Sequence, residues 1–128
     1  MAIDTDIRVG DETIKMDTPE LVRQLNSHLG PTLVAFLAGV RDKKLPHKWA
    51  KVDGPTPRDE ALARLLMAHR VWAKVSTAEN DSIARTWFIG ANPRLGEVSP
   101  AAKLRTAGTN ELTEVWDAAA AFAAGTDD

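Results

Sequence analysis

The chain has no cysteine among its 128 residues, so disulfides, thiolate zinc sites and cysteine nucleophiles are all excluded. No apolar run approaches the roughly 18 residues that mark a membrane-spanning helix. The opening residues, MAIDTDIRVG, are acidic where a secretory leader would be basic and then apolar, so the expected location is the cytoplasm. Compact catalytic signatures are missing too: there is no glycine-rich phosphate cradle, no H-E-x-x-H and no G-x-S-x-G. The three histidines, His28, His47 and His69, are scattered in sequence, and His69 falls on an apolar helical stripe where a hydrogen-bonded core histidine is the commoner outcome. Adjacent acids such as Asp59 and Glu60 sit at a helix start, where they complement the helix dipole. These absences lead us to expect neither an enzyme nor a metal or cofactor.

What is present is an ordinary globular composition, 44% hydrophobic, on a chain long enough to bury about two-thirds of its unfolded surface as one domain. The net charge of -2 hides a partition. Residues 1–20 carry six acids and two bases (net -4), residues 21–108 fourteen bases and seven acids (net +7), and residues 109–128 five acids (net -5). For contact with a polyanion, a local excess matters more than the total.

Periodicity and punctuation predict an all-α fold, a compact bundle of six or seven helices joined by short loops. Residues 1–17 alternate apolar and polar around Gly10-Asp11-Glu12 and read either as a short β-hairpin or as a mobile acidic arm. Thr18-Pro19 predicts the start of a helix reaching Leu29, with Leu21 and Leu25 inward. Gly30-Pro31 separates it from a second helix over about 32–38 with Leu33, Phe36 and Leu37 buried. Val52-Asp53-Gly54-Pro55 is a break. Thr56 with Asp59, and Pro57 at the first helical position, predict a long helix over about 57–75, with Leu62, Leu65, Leu66, His69 and Trp72 on one face. Ser76 and Glu79 look like a second capping box, for a helix ending at Phe88 or Ile89 with Ile83, Trp87 and Phe88 inward. In the loop that follows, Leu95 and Val98 are expected to dip inward. Ser99-Pro100 opens a short helix closed by Gly108, and Thr109 caps a last helix ending at Gly125. Trp49 and Trp72 are expected in the core.

The stretch Pro31 to Trp49, PTLVAFLAGVRDKKLPHKW, has the layout of a DNA-reading helix-turn-helix. A sharp bend between two helices needs a small residue where the backbones meet and one free to take φ > 0, and Ala35 and Gly39 stand at those places. Val40 and Leu45 are the positions that would anchor the second helix. Arg41, Lys43, Lys44, His47, Lys48 and Lys51 would then face outward: over residues 41–51, five formal positives minus the single acid Asp42 give net +4. Cations that neutralise phosphates release condensed counterions, so a DNA backbone suits such a strip. Pro46 is at odds with a continuous helix. Either the helix ends near Leu45, or Pro46 opens a separate short one.

The pattern Trp87, Asn92-Pro93, Leu95, Gly96, Ser99-Pro100, Leu104 and Gly108 resembles the C-terminal toxin-binding domain of the Xre/MbcA/ParS-like antitoxins, and Pro31 to Trp49 resembles the Xre-type helix-turn-helix that precedes it there. Together the resemblance spans roughly residues 19–124. With the acidic arm at 1–17 set apart, it implies a helix-turn-helix region at 18–75 and a toxin-binding region at 76–128. It further implies an antitoxin that binds a RES-domain toxin, an enzyme degrading NAD⁺, and that binds operator DNA to control its own transcription. Trp87, Asn92, Pro93, Arg94 and Leu95 would face the toxin, together with the last helix. Pro46 stands where the family has a small polar residue, and the acidic arm has no counterpart. A homo-oligomer with no membrane association is expected. Two further readings fit the same residues: a stand-alone helix-turn-helix regulator, and a protein-binding module without DNA binding.

Overall fold

A computed structural model describes residues 4–9 and 12–125. The N-terminal segment is a hairpin: β1 (Asp4–Val9) pairs antiparallel with β2 (Glu12–Asp17), Ile7 opposite Ile14. β1 lies along the long helix described below, so of the two readings of residues 1–17 the hairpin holds; the Gly10-Asp11 turn itself lies outside the described residues. All other regular structure among the described residues is helical, and the fold is all-α with this one small sheet.

α1 (Thr18–Leu29) begins one residue earlier than its proline suggests, because Asp17 rather than Thr18 is the cap: its Oδ1 accepts from the Glu20 N–H at 3.0 Å. α2 (Pro31–Ala38) follows after Gly30 and ends at Gly39, which is left-handed with φ 87. The Gly39 and Val40 amides close the helix by donating to the Phe36 and Ala35 carbonyls, a Schellman-type C-terminus. A methyl group at Gly39 would meet Arg64 Nη1 at 2.6 Å and the Arg105 carbonyl at 3.0 Å. Gly39→Ala is therefore expected to cost roughly 2 kcal/mol in urea unfolding, for the positive φ and the displaced arginine together. Gly96→Ala, equally left-handed but with open space around it, should cost about half of that.

α4 (Asp59–Ala78), a helix of 20 residues, forms the spine. It carries Leu65, Ala68, His69, Val71 and Val75 fully buried, with Leu62, Leu66 and Trp72 partly buried beside them, as the apolar stripe predicts. Its ends differ from the expectation. Pro57 is buried but precedes the helix, and Ser76 is not a cap: Val75 is fully buried, so packing carries α4 through the serine to Ala78. Asn80 caps α5 (Asp81–Ile89) instead, its Oδ1 accepting from the Ile83 N–H at 2.8 Å. α6 (Pro100–Arg105) begins as expected, with Ser99 Oγ accepting from the Ala102 N–H at 3.1 Å, but it stops at Thr106, short of Gly108. α7 (Thr109–Ala123) is capped in reverse: Glu111 Oε1 accepts from the Gly108 N–H at 2.7 Å, and Thr109 is already helical. α7 packs along α4, and α6 lies against both α2 and α7.

Candidate functional site

The cationic stretch is neither one helix nor one helix face. After Gly39 the chain turns: Asp42 Oδ1 accepts from the Lys44 N–H at 2.9 Å and its carbonyl from the Leu45 N–H at 3.2 Å. Only then does α3 (Leu45–Trp49) form, five residues long with Pro46 in its first turn. Of the two readings of Pro46, the separate short helix is correct. Arg41, Lys43 and Lys44 thus lie on the turn, His47 and Lys48 on α3, and Lys51 on the loop after it. All six are exposed, and among the described residues no carboxylate pairs with any of them.

Burial and hydrogen bonds hold this segment, since one turn of helix cannot hold itself. Trp49 is 4% exposed and Pro46 is buried. α1 adds two clamps: Arg23 Nη1 donates to the Ala50 carbonyl at 2.6 Å and Asn26 Nδ2 to the Pro46 carbonyl at 3.1 Å. Downstream, Gly54 sits so close to the Lys48 carbonyl that a Cβ there would overlap it.

The second region is the α5–α6 corner. The Asn92 N–H donates to the Val98 carbonyl at 3.2 Å, and the Leu95 and Glu97 amides both donate to the Asn92 carbonyl at 2.9 Å. Asn92 Oδ1 accepts from the Arg94 N–H at 2.9 Å, opening a 3₁₀ turn over Pro93–Leu95, and Gly96 and Glu97 follow in left-handed conformation. Leu95 is buried beneath the turn. The residues of the motif are thus largely those that build the corner: Trp87, Asn92 and Leu95 are buried, at 8%, 4% and 5% exposure, while Pro93 and Arg94 face solvent.

Three side chains expected inward are instead exposed: Phe36 at 39%, Ile83 at 39% and Val98 at 41%. Ile89, on the outer side of α5, is 61% exposed. α2 is apolar all round, and Val34, Leu37 and Ala38 take its inner side, which leaves Phe36 outside under Arg105, whose guanidinium lies 4.6 Å from the ring centre. Arg105 Nη1 also donates to the Phe36 carbonyl at 2.8 Å, and Arg64 Nη1 to the Ala38 carbonyl at 3.1 Å, so two arginines cover the negative end of α2.

Sequence spacing gave no sign that two of the histidines pack against one tryptophan. His28 stacks on Trp72 at 4.2 Å, and both donate to or share a proton with one carboxylate: His28 Nδ1 lies 2.6 Å from Asp81 Oδ2, and Trp72 Nε1 donates to Asp81 Oδ1 at 2.8 Å. Desolvation alone would raise the Asp81 carboxyl, but the hydrogen bonds from His28 and Trp72 and the charge of Arg85 bring it below the usual range. His69 lies edge-on to Trp72 in the core, fully buried, its Nε2 at 2.8 Å from Gln24 Oε1. Among the described residues no group of three potential metal ligands gathers, and no helix is long and apolar enough to cross a membrane.

Comparison of the chain with protein-family models, with curated proteins and with solved structures finds no match.

Proposed function

We propose that the chain is the antitoxin of a type II toxin–antitoxin pair, neutralising a RES-domain, NAD⁺-degrading toxin by direct binding and contacting operator DNA through its cationic segment. One observation carries the reading. The residues of the antitoxin-like pattern cooperate in a single corner, Asn92 tying its two sides and Leu95 filling it, and apolar side chains border that corner in solvent where a monomer has no use for them. The resemblance supplies the partner's class.

For DNA, the split of the cations decides the mode of contact. A recognition helix must lie along the major groove, whereas α3, with its five residues, is about 7 Å long. The six exposed residues suit phosphates on the turn–helix–turn better than base edges. Lys43→Ala and Lys44→Ala are each expected to flatten the slope of log K against log[salt] by about 0.9 in gel retardation of the upstream DNA. Unchanged slopes, or no retardation at low salt, favour the reading without DNA binding, to which the shortness of α3 lends weight.

A further inference from the structure

α2 and α5 both pack on α6 and leave a groove of about 550 Å³ between them. Leu33 and Phe36 form one wall, Arg85 and Ile89 the other, and Ala101 of α6 the floor, while the Gly30-Pro31 corner closes one end. Its size is that of clefts that take several anchor side chains. The walls are apolar and, at Phe36 and Ile89, well exposed.

The electrostatics are one-sided. Among the described residues Arg85 is the one charged residue lining the groove; it is held at the rim because its Nη2 donates to the His28 carbonyl at 3.0 Å, and Asp81, one turn earlier on α5 and outside the groove lining, feels part of its charge. Arg105 sits over the Phe36 ring and adds a second positive charge. Among the described residues no carboxylate lines the groove. An occupant therefore gains from apolar anchors flanked by acid, and a guanidinium can meet a carboxylate with two parallel hydrogen bonds. Both walls are helices and offer no strand edge, so the occupant must satisfy its own backbone, which a helix does.

We propose that this groove is the docking site for an amphipathic helix of a partner protein, one that seats large apolar side chains between Phe36 and Ile89 and a carboxylate against Arg85. The partner's identity rests on the antitoxin reading; the chemistry of the site does not.

Selection of a random-peptide display library on the full chain tests the assignment. The expected winners carry Leu or Phe at helical spacing with Asp or Glu beside them, and bind at least tenfold more weakly to Ile89→Asp and to Arg85→Glu, with a smaller loss for Arg85→Lys, which keeps the charge but not the two parallel hydrogen bonds. Ile89 is exposed at the negative end of α5, so Ile89→Asp should lower the folded-to-unfolded ratio in urea by no more than about fivefold. A basic consensus, no enrichment, or peptides indifferent to Ile89→Asp would overturn the proposal. So would a wild-type dimer that Ile89→Asp turns into a monomer in sedimentation, since a second copy would then cover the groove. Failure to neutralise any toxin would remove the antitoxin reading and leave these readouts as they stand.

Discussion

Trp49→Ala is expected to lower stability by about 3–5 kcal/mol, the range for removing a fully packed aromatic side chain. Trp49 is 4% exposed in the main core, at the end of a helix of five residues whose first turn contains a proline. Such a helix has no stability of its own. The tryptophan, with Pro46 and the clamps from Arg23 and Asn26, is what places His47 and Lys48 on a defined surface. The loss is a large share of the roughly 5–15 kcal/mol that keeps a domain folded. Urea unfolding should show a much lower midpoint, whereas Lys48→Ala on the same helix should stay within about 0.5 kcal/mol of wild type. A loss below about 1 kcal/mol for Trp49→Ala would mean that the cationic segment is not anchored through the core.

The second large effect is a loss of stability in mild acid, centred on His69. Glu20 Oε2 accepts from Gln24 Nε2 at 3.3 Å, which turns the amide oxygen toward His69. His69 Nε2 therefore carries the hydrogen and donates it, leaving Nδ1 bare, buried and without a partner. A second proton would have to enter there with no acceptor. Burial, assisted by nearby His28, lowers the His69 pKa from 6.5 to about 4. Between those values the unfolded chain binds more protons than the folded one, so stability is greatest above pH 6.5 and falls as pH drops toward 4. The full loss is about 3 kcal/mol at 1.36 kcal/mol per pKa unit. The lowered Asp81 carboxyl acts in the same direction at lower pH: its contribution is present above the usual carboxylate range and disappears as it protonates. Urea midpoints measured from pH 7 to 4 should fall steeply for the wild type and much less for His69→Gln; parallel curves would contradict the assignment to His69.

Much of this architecture is legible before any coordinates. Gly30-Pro31, the left-handed Gly39 and Ser99-Pro100 are local devices whose chemistry acts within a few residues, and each works where its residues stand. The stripe on α4 is legible for the same reason, being set by its period alone. What fails to show is whatever depends on a distant neighbour. Ser76 imitates a cap, but the packing of Val75 decides; Asp42 and Pro46 delay α3 by a turn that no period announces. On an apolar helix such as α2, periodicity cannot say which side meets the core, so Phe36 is placed wrongly. The residues of the corner motif are legible as a pattern, but their burial is not: Trp87, Asn92 and Leu95 build the corner, while the exposed surface beside it belongs to Phe36, Ile89 and Val98. Exposure of residues whose pattern calls for burial is itself informative, because such conflicts gather where a partner completes the core.

The most direct test of the antitoxin reading is to titrate the chain into the product of its neighbouring gene, which that reading requires to be a RES-domain protein, and follow NAD⁺ consumption. Stoichiometric inhibition is expected, reaching completion near a fixed molar ratio and weakened at least tenfold by Ile89→Asp. Undiminished NAD⁺ loss at every ratio, with no complex on gel filtration, would contradict it.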